Sequence, residues 1–149
     1  MTEPFGPPIL VVDDSPEDYE ATVRAFRKAG LRNPMLHCTT GDEALDLLHR
    51  RGAFAADGAA PRPAMILLDL NLPGTDGRAV LQEIKQTQQF SRIPVVVLTT
   101  STDRRDVDAC YAAGANSYVH KPVDLEGFMR AIELLSSYWF DVVILPKDA

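Results

Sequence analysis

Acidic side chains follow two of the most apolar runs in this chain. Ile9-Leu10-Val11-Val12 leads directly into Asp13 and Asp14, and Met65-Ile66-Leu67-Leu68 leads into Asp69. Such runs are typical of strands buried on both faces of a parallel sheet, so the acids lie at strand ends. Three carboxylates brought close together repel one another unless a cation neutralises them. With oxygen ligands alone, the hard cation Mg²⁺ is the expected partner.

A turn must follow Asp69, because Leu72-Pro73-Gly74 combines a proline of fixed φ with a glycine that accepts positive φ. The turn leaves Asp69 facing a crevice at the rim of the sheet. Taken alone, Asp69 has a plainer interpretation as a loop-capping residue, a common role of aspartate in turns. The neighbouring acids Asp13 and Asp14 favour the chemical interpretation.

Two more strand ends carry groups suited to an anionic ligand. The run from Ile93 to Leu98 leads into Thr99, and the short run from Ser117 to His120 leads into Lys121-Pro122. A hydroxyl and a mobile ammonium at the same rim would hold the oxygens of a phosphoryl group on Asp69. The alternatives are that Thr99 caps a helix and that Lys121 is a solvated surface lysine. The bond before the proline is compatible with either the cis or the trans form.

Helices separate these strands and position their ends. The sequence predicts a further strand from Met35 to Cys38, and helices from Ser15-Pro16 to Ala29, from Thr40-Gly41 through Leu48, from about Gly77 to Gln88, from Asp103 to Ala113 and from Leu125 through Leu135. Arg51 to Pro63 is predicted to be an extended surface loop. Alternating strands and helices with short connections favour right-handed crossovers and a parallel sheet. We therefore predict a doubly wound α/β fold of five strands in the order 2-1-3-4-5, with ligands bound beside the switch point between strands 1 and 3.

Composition excludes several classes of partner. The chain has 149 residues and a net charge of −6, with acids and bases interspersed. This length suits one domain, and the lack of a basic run argues against nucleic acid and anionic membrane. No signal peptide or membrane-span pattern is present, so we expect a cytoplasmic protein. Cys38 and Cys110 are expected to be buried and inert, and the scattered histidines are assigned no metal role.

The set Asp13-Asp14, Asp69, Thr99 and Lys121-Pro122, each at its own strand end, closely resembles the receiver domain of two-component response regulators. The resemblance covers the chain from about Pro8 to Ser137. It implies the flavodoxin-like, CheY-like receiver fold as a single domain over residues 1–149, with a core at about 8–137 and an apolar tail at 138–149. It also implies a regulator without an attached output domain.

The resemblance assigns a role to each acid. Asp69 would accept a phosphoryl group from a phosphohistidine of a sensor histidine kinase and form an acyl phosphate. Asp14 and Asp69 would ligate Mg²⁺ directly, Asp13 would act mainly through water, and the carbonyl of Asn71 would complete the protein ligands. The chain would then catalyse only its own phosphorylation and dephosphorylation, rather than act as an enzyme.

The resemblance also implies a switch. Thr99 and Lys121 would bind phosphoryl oxygens, and Tyr118 matches the aromatic residue that turns inward as Thr99 moves toward the phosphoryl group. The alternative for Tyr118 is a half-buried tyrosine of the fifth strand. A new charge of about −2 at Asp69 would bias a two-state loop, so the expected output is a change of surface.

Four further segments resemble a narrower group, the single-domain regulators paired with bacterial and cyanobacterial phytochromes. They are Arg51 to Pro63, Ile93 to Ser101, Ala115 to Tyr118, and the aromatic tail from Tyr138 to Leu145-Pro146. This resemblance implies a bacterial phytochrome as the kinase and a homodimer through helix 4, strand 5, helix 5 and the tail. The alternative is that the tail packs back on its own domain.

Other function classes fit less well. A haloacid-dehalogenase-type phosphatase needs a second aspartate two positions after the nucleophile, and that position is Asn71. A flavodoxin-like cofactor binder would place the Asp-Asp-Ser-Pro loop against a phosphate, which the acids would repel. The intact acidic set argues against a degenerate receiver that never takes phosphate. A role as a phosphate sink or as an intermediate in a phosphorelay stays open.

Overall fold

The computed structural model describes residues 6–56 and 62–146. Its strands are β1 Ile9–Val12, β2 Met35–Cys38, β3 Met65–Leu68, β4 Val95–Thr99 and β5 Ser117–His120. They form one sheet in the order β2-β1-β3-β4-β5, and every neighbouring pair is parallel. The predicted doubly wound fold and its strand order are confirmed.

Helices connect the strands as the sequence predicts, and each begins at a capping side chain. The helices are α1 Pro16–Lys28, α2 Gly41–His49, α3 Gly77–Gln86, α4 Arg104–Ala112 and α5 Leu125–Ser136. Their capping residues are Ser15, Thr40, Asp76, Asp103 and Asp124, and each side chain accepts a hydrogen bond from a backbone N–H of the first turn. These N–H groups have no partner within the helix, so the caps fix where each helix begins.

Two boundaries differ from the predictions by more than one residue, and one predicted loop contains a short helix. The helix predicted to reach Gln88 ends at Gln86, because the Thr87 backbone is extended and its hydroxyl donates to the Glu83 carbonyl over 2.7 Å. Strand β4 begins two residues later than predicted, after Pro94, which has no N–H to donate to a neighbouring strand. The predicted loop after α2 contains a short 3₁₀ helix at Gly52–Phe54, and its residues 57–61 lie outside the described residues.

The central strands are buried on both faces of the sheet, because helices cover each side. One face carries α2, α3 and α4, which pack on alternate strand residues that include Leu10, Val12, Ile66, Leu68, Val95 and Val97. The other face carries α1 and α5, which pack on the intervening residues Ile9, Val11, Met65, Leu67, Val96 and Leu98. Both sides are apolar, so the polar groups of these strands gather at the ends.

The C-terminal tail packs partly on its own domain. Residues Ser137–Val142 continue α5 as a π-helical segment, and Trp139 is buried against the face covered by α1 and α5. Tyr138 and Ile144 remain exposed. The alternative that the tail packs back on its own domain therefore holds for one side of the tail, and residues 147–149 lie outside the described residues. In the described part of the chain, no helix is both long and apolar enough to cross a membrane.

Candidate functional site

The three predicted acids meet at the carboxyl ends of β1 and β3. The backbone N–H of Asp69 donates to the carbonyl of Val12 over 3.0 Å, which continues the pairing of these strands past their ends. One carboxylate oxygen from each of Asp13, Asp14 and Asp69 lies within 4.8 Å of the others. Asp13 is buried, Asp69 is half-buried and Asp14 is exposed. Carboxylate oxygens at this spacing fit a hard divalent cation.

The loop after β3 holds the Asp69 side chain from its own backbone. Its Oδ1 accepts a hydrogen bond from the N–H of Asn71 over 3.0 Å. Gly77, the first residue of α3, lies so close that a β-carbon there would collide with the carbonyl of Asp69. The absence of a side chain at Gly77 therefore lets the helix start directly beneath the acid.

The surroundings of Asp69 shift the pKa of its carboxyl group. Burial raises the pKa of Asp69 above its ordinary value, the Asn71 N–H and Lys121 oppose that rise, and the charge of Asp13 adds to it. A carboxyl with a raised pKa is one whose ionised form costs free energy in this environment. A divalent cation among these acids would reduce that cost.

Lys121 enters the same pocket from the end of β5. The backbone N–H of Lys121 donates to the carbonyl of Thr99 over 2.7 Å, so the pairing of β4 with β5 positions both residues. Its Nζ lies 3.1 Å from Asp13 Oδ2 and 3.4 Å from Asp69 Oδ2. The Lys121–Pro122 bond is trans. Lys121 is buried rather than solvated, contrary to the alternative of a surface lysine.

Asp18 is a contact of Lys121 that the sequence analysis did not single out. Its Oδ2 lies 2.7 Å from Lys121 Nζ, closer than either of the two acids above. Burial opposes the charge of Lys121, but the hydrogen bond that Lys121 donates to Asp18 and the charges of Asp13 and Asp69 outweigh this effect and raise the lysine pKa. In the sequence, Asp18 has an ordinary explanation as an acid in the first turn of a helix, where a negative charge is favourable, so the sequence gives no signal for this contact.

Thr99 and Tyr118 both reach the loop that follows β4. Thr99 is fully buried at the end of the strand, and its Oγ1 accepts a hydrogen bond from the Ser101 N–H over 3.2 Å. Tyr118 is half-buried, and its hydroxyl donates to the Ser101 carbonyl over 2.9 Å. One residue, Ser101, therefore contacts both predicted switch residues.

A polar network continues from Ser101 into two helices. The Ser101 hydroxyl donates to Asp106 Oδ2 over 2.7 Å, and Asp106 Oδ1 accepts from Arg78 of α3 at 2.8 and 3.0 Å. The Ser101 hydroxyl, and then Arg78, hold the pKa of Asp106 below its usual range. This network could not be found from the sequence, because Arg78 and Asp106 are distant in the chain and each has an ordinary interpretation as a helix surface charge.

Both cysteines are free and buried, as predicted. Burial raises the pKa of the Cys38 thiol to about 12, with the charge of Glu43 adding to the effect. Such a thiol stays protonated near neutral pH, and a protonated thiol is a weak nucleophile. Neither cysteine belongs to the acidic pocket.

The fold and pocket together define a class: a doubly wound α/β domain with a metal-compatible acidic site at its switch point and a lysine beside it. Comparisons with known proteins agree with this class. A family model, the response regulator receiver domain, matches residues 9–133. Response regulator Rcp1 of Synechocystis sp. is 38% identical over 148 residues, which span 98% of this chain and 99% of Rcp1.

Two solved structures match nearly the whole chain. The Mn²⁺-bound form of Rcp1 aligns with a TM-score of 0.88 at 38% identity, over 95% of this chain and 99% of the other. The phosphorylated cyanobacterial phytochrome response regulator RcpA aligns with the same TM-score, 0.88, at 33% identity and the same coverage, 95% and 99%. This chain belongs to the response regulator receiver family. It is a receiver domain rather than a classical enzyme.

Proposed function

We propose that Asp69 is the phosphoacceptor of this response regulator and that a sensor histidine kinase is the donor. The observation that carries the proposal is the position of Asp69, which lies between two further acids and the ammonium of Lys121. A carboxylate oxygen of Asp69 would attack the phosphorus of a phosphohistidine. The P–N bond breaks, its electron pair stays on the imidazole nitrogen, and an acyl phosphate forms. Lys121 would neutralise charge on the transferred group.

The cation of this site is Mg²⁺ in our proposal. Asp14 and Asp69 would bind it directly, Asp13 mainly through water, and Asn71 through its carbonyl. The described donors are all oxygen atoms, which is the set that Mg²⁺ prefers. When bound, the ion would neutralise charge on the phosphoryl group.

The switch would use Thr99 and Tyr118. A phosphoryl group on Asp69 offers new acceptor oxygens, and the Thr99 hydroxyl would turn to one of them, alongside Lys121. That movement would break the hydrogen bond from the Ser101 N–H to Thr99. The carbonyl of the same Ser101 accepts a hydrogen bond from the Tyr118 hydroxyl. The loop and α4 would therefore rearrange together, and the signal would be a changed surface over α4 and β5.

The relatives named above suggest the input. RcpA is a cyanobacterial phytochrome response regulator, so a bacterial phytochrome is the kinase we propose for this chain. We also propose that residues 1–149 form one receiver domain and that the protein acts in the cytoplasm, where it would meet that kinase.

A homodimer through α4, β5, α5 and the tail is also part of the proposal. It rests on an apolar groove lined by Val119, Leu134, Leu135, Tyr138 and Trp139, in which Leu134 is 60% exposed. Light scattering should detect a dimer that Leu134→Lys dissociates, whereas Gln82→Lys on the exposed side of α3 leaves it intact. A monomeric wild-type protein at high concentration would refute this part.

The acceptor is tested by incubation with Mg²⁺ and acetyl phosphate, followed by intact mass measurement. We expect one hydroxylamine-labile phosphoryl group in the wild-type protein and none in Asp69→Asn. Asp76→Asn, a matched change at the cap of α3, should retain the adduct. An adduct in Asp69→Asn, or none in a wild-type protein shown to bind Mg²⁺, would contradict the proposal.

A further inference from the structure

Asp18 holds the ammonium of Lys121 more closely than any other acid in the pocket. Its carboxylate lies 2.7 Å from Nζ, compared with 3.1 Å for Asp13 and 3.4 Å for Asp69. An ammonium has three protons to donate, and these three carboxylates can occupy all of them. To bind Lys121, a phosphoryl group on Asp69 would therefore have to replace one of these carboxylates as a hydrogen-bond acceptor.

The local sequence fixes Asp18 in this position without using its carboxylate. The Asp18 N–H donates to the capping Ser15 hydroxyl over 3.2 Å, and the Asp18 carbonyl accepts from Thr22 over 2.7 Å. The N–H of Ser15 in turn donates to Asp13 Oδ1 over 2.9 Å. The backbone of the β1–α1 connection is thus tied to the pocket, and the Asp18 side chain points to Lys121.

Asp18 is also the partner that Lys121 can give up most readily. Its side chain is 38% exposed, whereas those of Asp13 and Asp69 are 6% and 11% exposed. The pair opens on a cavity of about 310 Å³ lined in part by Thr100, Pro122 and Phe128. Water can therefore solvate the Asp18 carboxylate after the lysine leaves, which lowers the cost of separating the pair.

We propose that Asp18 is a positioning residue that competes with the phosphoryl group for Lys121 and so sets how tightly the pocket holds that group. Asp18 lies outside the proposed metal ligands, and it acts through the lysine rather than on the reacting atoms. The inference rests on the proposed function, because it needs a phosphoryl group at Asp69.

Beryllofluoride, an analogue of the phosphoryl group, provides the test. Its affinity is measured by ¹⁹F NMR titration of the full chain with saturating Mg²⁺. Asp18→Asn keeps the shape of the side chain and removes its charge. We therefore expect the analogue to bind roughly fivefold more tightly, a factor that corresponds to the free energy of a partly exposed ion pair. Glu17→Gln is the matched control: it removes the same charge one residue away, where the carboxylate contacts Ser15.

A second comparison separates positioning from general electrostatics. In a Lys121→Met background there is no ammonium to compete for, so Asp18→Asn should change the affinity no more than Glu17→Gln does. The Mg²⁺ affinity measured without analogue should shift equally in the two single variants. Asp18→Ala repeats the test should the asparagine variant fold poorly.

The outcomes distinguish the two proposals. If Asp18→Asn and Glu17→Gln change the analogue affinity equally, or if the effect of Asp18→Asn persists without Lys121, the inference about Asp18 is wrong and the phosphoacceptor role stands. If the wild-type protein with bound Mg²⁺ takes no beryllofluoride, the phosphoacceptor proposal itself fails.

Discussion

Helices α3 and α4 flank the same face of the sheet, yet they are held there by different interactions. Four residues of α3 are buried, including Val80, Leu81 and Ile84, whereas Cys110 is the one buried residue of α4. The N-terminal end of α4 is held by Asp106, which bonds to Ser101 and Arg78. Regions with few buried apolar contacts open at lower free energy than packed ones.

This difference suits the two proposed tasks. The helix beneath Asp69 must keep the acceptor fixed. Apolar packing suits this task, because its contribution to stability changes little when a charge is added nearby. The helix that changes must have a second arrangement of similar free energy. Polar contacts allow this, since each bond that breaks can be replaced by one to water or to a new partner.

The largest expected effect is a difference in the free energy of unfolding between the same substitution made in α3 and in α4. Val80→Ala in α3 should lower the free energy of unfolding by about 2 kcal/mol, since two buried methyl groups are lost and a cavity remains. Val107→Ala in the half-buried part of α4 should cost less than about 1 kcal/mol, because that site is less enclosed. Urea denaturation with an unchanged slope measures both. Equal losses would show that α4 is as firmly packed as α3.

A smaller effect is expected from the hydroxyl of Tyr118. Tyr118→Phe keeps the ring and removes its hydrogen bond to Ser101, so stability should fall by about 1 kcal/mol. Tyr138→Phe makes the same change at an exposed tail residue and should remain within about 0.5 kcal/mol of wild type. Thermal or urea unfolding provides the measurement. If the two variants match, the bond to Ser101 does not hold the loop.

The smallest effect is a pH dependence at Asp106. The folded protein lowers the pKa of this carboxyl, so its stabilisation is present above the ordinary value near 4 and is lost as pH falls through the lower folded value. The stability difference between wild type and Asp106→Asn should therefore be greatest at neutral pH and decline in acid. Asp108→Asn, on the exposed side of α4, is the control. A difference that is independent of pH would mean that the ionised carboxylate is not the stabilising form.

The sequence predicts the fold and the acidic pocket because both depend on periodic patterns. Apolar runs that end in Asp13 or Asp69 identify strands and their rims, and parallel pairing then brings the rims together. Capping residues such as Thr40, with Glu43 three positions later, locate helix starts to within a residue. These properties depend on neighbours in the chain.

The contacts made by Asp18 and Arg78 could not be predicted in the same way. The pairing of Asp18 with Lys121 and that of Arg78 with Asp106 join helices to a strand end or to each other, at a distance set by packing. The extent to which the tail from Tyr138 onward covers α5 depends on the same packing. Each of these residues also has an adequate local explanation, so nothing in the sequence singles it out.

The most direct test of the account is hydrogen exchange with and without beryllofluoride at saturating Mg²⁺. We expect the exchange rates to change in residues 99–112 and 117–120, which carry Thr99, Ser101, α4 and Tyr118, and to stay the same in α3 at Gly77–Gln86. Asp69→Asn should show no change in either region. An equal change in α3 and α4, or one confined to the residues around Asp69, would contradict the claim that α4 and its loop are the part that switches.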